Sequence, residues 1–238
     1  MAKIIPGKNG SKKDVITQKA AELFRKKGFT ATSMRDIASA IGVEAPSLYN
    51  HIKSKNAILQ EVCFGIAHLF TDNLIKIELS PELYLSKIES IIRFHISMMI
   101  EEYESVYISD HEWKHLPEPF LSDFKTRRRN YRSRLAAILQ KGIDHKEISD
   151  INPYVAVLTI LSAISGIESW HRSGKKVDAK SLTENMVKIL VDGLRYHPGI
   201  SPSNGHVVGK SHQGLRRNIS VYKSRKTNSN THSGATFS

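Results

Sequence analysis

The chain has 238 residues, which is enough for one small domain and one larger core. Its hydrophobic content of 40% is ordinary for a soluble globular protein, and its single cysteine excludes a disulfide framework within one chain. The formal net charge of +12 at pH 7 favours a polyanionic partner, either nucleic acid or an acidic membrane surface.

Cysteine usage and the apolar segments favour a cytoplasmic protein. A single thiol fits a reducing compartment, and Cys63, in an apolar stretch, is predicted to be an inert packing residue. The N-terminal residues carry charge but no apolar segment long enough for a signal peptide. The longest apolar run, around 155–164, is too short to span a bilayer. We therefore expect no membrane partner.

The N-terminal region predicts a flexible basic arm followed by a helix. The arm covers 1–10 and contains a proline and two glycines. The helix is expected to begin near Ser11, because one apolar stripe with helical spacing starts there. It is expected to end at Gly28, after a basic last turn.

Two shorter helices come next. Ser33, with Asp36 in the third helical position, has the capping-box pattern that begins a helix over 34–41. A glycine then permits a sharp turn. Pro46 lies in the first turn of a short helix over 45–51, where its missing N–H would have no intrahelical partner anyway.

The remainder of the chain shows helical spacing in six longer segments, and no convincing strand alternation. The predicted helices cover 55–70, 81–102, 104–114, a very basic segment from 120 to just before Gly142 or Asp144, 153–172 and 179–194. Serine, asparagine or aspartate precedes several of them, as an N-cap would. The sequence therefore predicts an all-α fold of about nine helices.

The domain organisation follows from these elements and from a change of composition near the C-terminus. We expect a flexible arm at 1–10, a helix-turn-helix DNA-binding domain at 11–56, a ligand-binding and dimerisation domain at 57–197, and a disordered basic tail at 198–238. The tail contains no acidic residue and few large apolar ones, so it has too little surface to bury to offset the entropy of ordering.

The short helix over 45–51 has a surface typical of a DNA-recognition helix. Leu48 and Ile52 are expected to anchor it in the core, while its other side carries small and hydrogen-bonding side chains. Base edges and phosphates are contacted by such donors and acceptors. The predicted DNA-binding residues are Ser33, Arg35, Ala45, Pro46, Ser47, Tyr49, Asn50, His51, Lys53 and Lys55.

This region closely resembles the DNA-binding signature of the TetR family. The residues that carry the resemblance are GFTATSMRDIA at 28–38, IGV at 41–43, PSLYNHIKSK at 46–55, and Leu59. Ile52 departs from the pattern, because the family often has phenylalanine there, but both residues are core anchors. The resemblance implies a homodimer, an operator with two-fold symmetry, and repression that a small molecule relieves.

The same resemblance implies roles for individual side chains. Tyr49 and His51 would face phosphate, and Lys55 would clamp the DNA backbone. The residues nearest the base edges would be Ala45, Pro46, Ser47 and Asn50.

The predicted ligand-binding and dimerisation domain at 57–197, called the body below, more loosely resembles the corresponding part of family members that sense acyl-CoA thioesters. The similar features are Glu112-Trp113, the basic run Arg127-Arg128-Arg129 through Tyr131, Gly142, Gly166, Trp170-His171-Arg172 and Gly174. An acyl chain needs an apolar tunnel, and a CoA phosphate needs arginine or lysine near its mouth. The predicted effector-binding residues are Ile92, Ile96, Met99, Glu112, Arg127, Arg128, Tyr131, Leu135, Leu161, Trp170 and Arg172. In the alternative interpretation the apolar residues are ordinary core and the arginines form a solvated face.

The last two helices are expected to form the dimer interface. They combine small residues, which allow a partner helix to approach closely, with apolar ones. The predicted interface residues are Leu158, Ser162, Ser165, Gly166, Met186, Ile189, Leu190 and Leu194. The alternative is that these helices pack only within one chain.

The segment from His111 to His115 spells H-E-x-x-H, the pattern of zinc proteases. Pro117 follows closely and is expected to end the helix at the second histidine, so we predict no metal, no catalytic residue and no cofactor. Two alternatives to a ligand-released repressor stay open. They are a zinc hydrolase built on His111, Glu112 and His115, and a non-specific basic protein that binds DNA or a membrane surface by charge alone.

Overall fold

The computed structural model describes residues 11–174 and 176–198, and their regular secondary structure is entirely helical apart from one isolated β-bridge between Ile148 and Arg195. The α-helices are α1 (Lys12–Lys27), α2 (Met34–Ile41), α3 (Ala45–Tyr49), α4 (Lys55–Leu79), α5 (Tyr84–Glu101), α6 (Tyr103–His111), α7 (Phe120–Asp144), α8 (Pro153–Ser165), α9 (Ile167–Arg172) and α10 (Ala179–Asp192). Since α8 and α9 are one helical segment interrupted at Gly166, the predicted all-α fold of about nine helices is confirmed. The predicted arm at 1–10, and the predicted tail from 199 onward, lie outside the described residues.

The N-terminal helices begin and end where local capping predicts. Ser11 and Ser33 both form complete capping boxes, each with an aspartate three positions later. Gly42 ends α2 in the left-handed conformation, with φ of 76°, which suits glycine. Helix α3 ends at Tyr49, earlier than predicted, because the next two residues form a turn: the amides of His51 and Ile52 both donate to the Leu48 carbonyl.

The boundary between α4 and α5 differs from the prediction. Ser80 was expected to cap a helix that starts at 81, but α4 continues to Leu79 and α5 begins only at Tyr84. The Ser80 hydroxyl instead donates back to the Ile77 carbonyl, 2.9 Å away, at the end of α4. Lys87 of α5 links the two helices, because its ammonium donates a hydrogen bond to the Glu78 carbonyl near the end of α4, 3.0 Å away.

Helix α7 was predicted to end just before Gly142 or Asp144, and it continues to Asp144. Gly142 lies inside the helix and is buried, so it does not end it. Its role is close packing, because a Cβ at this position would lie 2.5 Å from the Cδ1 atom of Ile148. Helix α6 is shorter than predicted and is followed by a separate 3₁₀ turn over Trp113–His115.

Two hydrophobic cores meet along α4. The first joins α1, α2, α3 and the start of α4, and is closed from the body side by Ile108, Leu116 and Phe124. The second fills the body and begins on α4 at Ile66. Cys63 is fully buried in the first core, and burial raises the pKa of its thiol to about 12, so it stays protonated at neutral pH.

The helical segment Pro153–Arg172 is longer than the apolar run near 155–164 indicated. By length and composition alone this 20-residue segment could cross a membrane, contrary to the expectation drawn from the sequence. Only 28% of its most apolar stretch is buried within the chain. It therefore presents an apolar surface that its own chain leaves uncovered.

Candidate nucleic-acid interface and ligand pocket

Helix α3 is anchored on one side and open on the other. Leu48 is fully buried in the first core and Ile52 nearly so, as the sequence predicts. Of the predicted DNA-binding residues, the exposed ones are Ser33, Arg35, Pro46, Tyr49, Asn50, His51 and Lys53, and the half-buried ones are Ala45, Ser47 and Lys55. Tyr49, at 52% exposure, is a large aromatic side chain held against solvent on a short helix. The residues from Ser47 to His51 thus present polar groups outward.

The hydroxyl of Ser33 already forms hydrogen bonds with the first turn of α2, the helix that it caps. It lies 2.6 Å from Oδ2 of Asp36 and also accepts the Asp36 backbone N–H. Hydrogen bonds from the Ser33 side chain and backbone, and then from Lys27, lower the pKa of Asp36 to about 2. This capping box holds the start of α2 rigid, so a phosphate there would meet backbone N–H groups rather than the hydroxyl.

The structure gives Lys55 contacts within its own chain that the sequence did not predict. Its ammonium donates to three backbone carbonyls of the loop between α1 and α2: Phe29 at 2.7 Å, Thr30 at 3.2 Å and Thr32 at 2.8 Å. It also lies 4.4 Å from the ring centroid of Phe29. These three contacts match the three hydrogens of the ammonium, so each of them has an acceptor within the chain itself. Lys55 thereby fastens the first turn of α4 to the DNA-binding helices.

Replacing Lys55 with methionine should therefore destabilise the chain. The variant leaves carbonyls without their charged donor, and we expect a loss of about 1–3 kcal/mol in the free energy of unfolding, measured by urea denaturation. Lys53→Met is the matched control, since Lys53 is exposed and has no hydrogen bond or ion pair within the described part of the chain. Equal stability of the two variants would contradict this role.

The body contains a cavity of about 560 Å³ between α4, α5, α6, α7 and α8, and Asp110 of α6 and Glu168 of α9 are among its lining residues. Five predicted effector residues line it: Met99, Arg127, Arg128, Tyr131 and Leu161. The lining is mostly apolar, with the arginines of α7 on one side. The exposed α8 side chains Tyr154 and Leu158 also line it, so the cavity reaches the uncovered surface of that helix.

The remaining predicted effector residues do not line this cavity. Ile92, Ile96 and Leu135 are fully buried in the body core, so the pattern that suggested a tunnel was ordinary helix packing. Glu112 lies 3.3 Å from His115 on the 3₁₀ turn. The other two point elsewhere as well: the Trp170 indole donates to the Val177 carbonyl at 2.7 Å, and Arg172 lies 3.4 Å from the Ser169 hydroxyl.

The arginines of α7 differ in how far they are already paired. Arg128 donates to Asp110 at 2.7 Å and to the Ser109 carbonyl at 3.2 Å, and Arg127 is paired with Asp123 at 3.2 Å. Arg132, which also lines the cavity, is exposed and has no ion pair in the described ranges. Arg132 is therefore the lining arginine best placed to receive an anionic group.

Tyr131 was predicted from the sequence as an effector residue, but His95, its partner in the cavity wall, was not. Nε2 of His95 lies 2.6 Å from the Tyr131 hydroxyl, and both residues line the cavity. Phe70 lies against the imidazole with ring centroids 4.4 Å apart. Burial lowers the pKa of His95 to about 4 and raises the pKa of Tyr131. The available signal was a histidine within the apolar spacing of α5.

The H-E-x-x-H segment does not form a metal site. Helix α6 ends at His111, so the two histidines do not share one helical face. His111 lies 3.3 Å from Glu168, whereas His115 pairs with Glu112 and stacks on Phe29. Among residues 11–174 and 176–198, no group of three or more histidine, cysteine, aspartate or glutamate side chains could hold a metal ion.

The last helices present an exposed apolar face. Leu158 on α8 is 66% exposed and Ile189 on α10 is 71% exposed. Tyr154 and Val155, which the prediction omitted, are exposed beside them. Of the other predicted interface residues, Ser162, Ser165 and Gly166 are exposed, and Met186 and Leu190 are half-buried against the body core. Leu194 is a correction: it is only 6% exposed and packs within its own chain.

Two family models match the chain. Residues 16–62 match the model for bacterial regulatory proteins of the tetR family, and residues 84–194 match the model for a tetracyclin repressor-like C-terminal domain. The chain belongs to the TetR family. Members of this family and the relatives of this chain are transcriptional regulators, so this TetR-family protein is a DNA-binding regulator and not an enzyme.

Relatives of this TetR-family chain match it over most of their length. It is 28% identical to the transcriptional repressor KstR2 of Mycolicibacterium smegmatis, with 84% of this chain and 98% of that protein covered. It is 27% identical to KstR2 of Rhodococcus jostii, with 79% and 93% covered.

Solved structures share the TetR-family fold. The ketosteroid transcriptional regulator KstR2 of Mycobacterium tuberculosis superposes with a TM-score of 0.73 at 22% identity, covering 81% of this chain and 100% of that one. AibR in complex with isovaleryl coenzyme A and operator DNA gives a TM-score of 0.66 at 22% identity, covering 75% and 97%. At this level of identity the likeness establishes the all-helical fold.

Proposed function

We propose that this chain is a homodimeric repressor that binds a two-fold symmetric operator through α3 and leaves it when a small molecule fills the body cavity. The observation that carries the proposal is the outward face from Ser47 to His51, supported from behind by the buried Leu48 and Ile52. A helix that exposes serine, tyrosine, asparagine and histidine on a basic chain suits a major groove. The named relatives are repressors, which favours repression over activation.

The homodimer in this proposal forms through α8 and α10. Val155 and Ile189 line one groove between these helices, and Leu158 extends the apolar face toward the cavity. A second copy of the chain would cover these side chains in a bundle of helix pairs. A bilayer is a poorer partner for this segment, because its opposite face, which includes Val157 and Ile164, is packed in the body core. The proposal accordingly places the protein in the cytoplasm.

The proposed effector is an acyl-CoA thioester. The mostly apolar cavity of about 560 Å³ would take an acyl group, and Arg132 would meet a phosphate of the coenzyme. AibR, a structural relative, was solved with isovaleryl coenzyme A and operator DNA, which supports this class of ligand. Arg127 and Arg128 contribute less in this account, because Asp123 and Asp110 already pair with them.

Helix α4 would couple the cavity to the DNA-binding helices. Lys55 at its start fastens the loop before α2, and Ala67, Phe70 and Thr71 line the cavity further along. In a dimer, the two α3 helices must lie roughly 34–36 Å apart to enter successive major grooves. A ligand that binds better to another spacing shifts the population away from DNA, typically by 1–3 kcal/mol.

Acyl-CoA thioesters of increasing chain length should raise the melting temperature of the protein and release it from operator DNA. Arg132→Gln should weaken CoA binding about three- to tenfold, because a solvent-exposed charge pair with phosphate contributes roughly 1 kcal/mol. Arg129→Gln is the matched control on the same helix, since Arg129 is exposed and does not line the cavity. If no chain length stabilises the protein or releases DNA, the acyl-CoA proposal is wrong.

A further inference from the structure

The cavity wall contains a buried pair of polar side chains that has no role in the proposed binding of the CoA phosphate. His95 on α5 and Tyr131 on α7 are joined by a hydrogen bond of 2.6 Å. Next to the pair the wall is apolar, with Phe70 against both rings and Met99 on the same helix as His95. A hydrogen-bonding group in such a wall is selective, because a ligand must either satisfy it or leave it unpaired.

Both members of the pair are neutral near pH 7. Burial keeps the pKa of His95 at about 4 and raises the pKa of Tyr131 above its ordinary value. The pair therefore holds two polar hydrogens, one on the imidazole ring and one on the hydroxyl.

The hydrogen bond within the pair uses only one of these two hydrogens. If the Tyr131 hydroxyl donates to Nε2 of His95, the ring N–H at Nδ1 remains; if Nε2–H donates, the hydroxyl hydrogen remains. In either tautomer one donor is left over, and the described residues supply no further hydrogen bond to either side chain. The fully buried side-chain atoms that lack a partner in the described ranges are on Thr17 and Arg25, so Nδ1 of His95, which has no partner there, is not fully buried. The side chains of both His95 and Tyr131 line the cavity.

We propose that the His95–Tyr131 pair donates a hydrogen bond to a carbonyl oxygen of the effector. The pocket would then select apolar ligands that carry a ketone, ester or thioester group. A carbonyl oxygen only accepts, so it matches the one spare donor of this neutral pair without bringing a charge into the apolar part of the wall around Phe70. This inference rests on the proposed role of the cavity as the effector site.

The test uses 1-indanone and indane, which share a bicyclic carbon skeleton and differ by the carbonyl oxygen. Their dissociation constants are measured by calorimetry with the full-length chain and with the double variant His95→Phe/Tyr131→Phe. The ratio of the indane constant to the indanone constant should fall about five- to a hundredfold in the variant, because the carbonyl loses its donor. The difference in solvation of the two probes in water affects the ratio equally for both proteins, so it cancels when the ratios of the unmodified protein and the variant are compared.

Thr71→Val is the matched control. Thr71 lines the same cavity, but its hydroxyl already donates to the Ala67 carbonyl at 2.7 Å, so the ratio should not change. Thermal unfolding and DNA binding confirm that each variant is folded. If the first double variant does not fold, His95→Leu/Tyr131→Phe removes the same donors.

An unchanged ratio in the double variant overturns the inference, as does failure of both probes to bind the unmodified protein up to their solubility limits. DNA release by acyl-CoA thioesters is measured separately, so the proposed function survives either result. Carbonyl selectivity without release of DNA by any ligand would support the pair and contradict the effector role.

Discussion

Replacing Ile189 with aspartate should separate the dimer and lower operator affinity by about a hundredfold or more. In a two-fold interface each substitution occurs twice, so two carboxylates would be buried where two apolar side chains had met. Specific operator binding needs both α3 helices on one particle, whereas a monomer retains only weak electrostatic binding. Ile189 is 71% exposed in the single chain, so the substitution should leave the fold intact.

Leu79→Asp provides the matched control for the dimer. Leu79 is 81% exposed at the end of α4 and belongs to neither α8 nor α10, so its replacement should change neither molecular mass nor affinity. Light scattering gives the mass, and a gel-shift assay with an upstream fragment gives the affinity. A dimeric Ile189→Asp variant, or a monomeric unmodified chain that still binds its operator tightly, would show that this face is not the interface.

The substitutions Asn50→Ala and Tyr49→Ala should weaken operator binding in two different ways. Loss of a base contact costs about 1–3 kcal/mol, and each dimer loses two, so Asn50→Ala should reduce operator affinity roughly thirtyfold or more. The loss should concentrate at one base pair in each half-site and leave non-specific binding unchanged. Tyr49→Ala should weaken specific and non-specific binding alike, because a phosphate contact carries no sequence information.

These two variants are compared on the operator, on single-base variants of it and on an unrelated duplex, at several salt concentrations. A uniform loss across all duplexes for both variants would show that Asn50 does not contact bases. A base-specific loss for Tyr49→Ala would reverse the two assignments.

Local signals predicted the helix starts well. Ser11, Ser33, Asn152 and Asp178 cap their helices in the structure, because a cap is a hydrogen bond between residues two or three positions apart. The anchoring of α3 by Leu48 could also be predicted from the sequence, because apolar residues with helical spacing lie on one side of a helix and are buried together. Ser80 does not cap α5, because its hydroxyl donates back to the Ile77 carbonyl at the end of α4 and α5 begins only at Tyr84.

Contacts between residues far apart in the sequence could not be predicted from local patterns. The carbonyls that occupy Lys55 precede it by 23 to 26 residues, and only the folded loop brings them together. Likewise, 36 residues separate His95 from Tyr131. Helical spacing placed Ile96 and Met99 together as tunnel residues, but the packing of α7 and α8 decides that only Met99 faces the cavity.

The most direct test of the central claim is selection from a pool of random duplexes by the full-length protein at physiological salt. We expect the bound duplexes to converge on one motif with two-fold symmetry, whose half-sites are spaced for successive major grooves. With Asn50→Ala, we expect a motif with one relaxed position in each half-site. A pool that remains random after repeated selection would contradict the assignment of α3 as a sequence-reading helix.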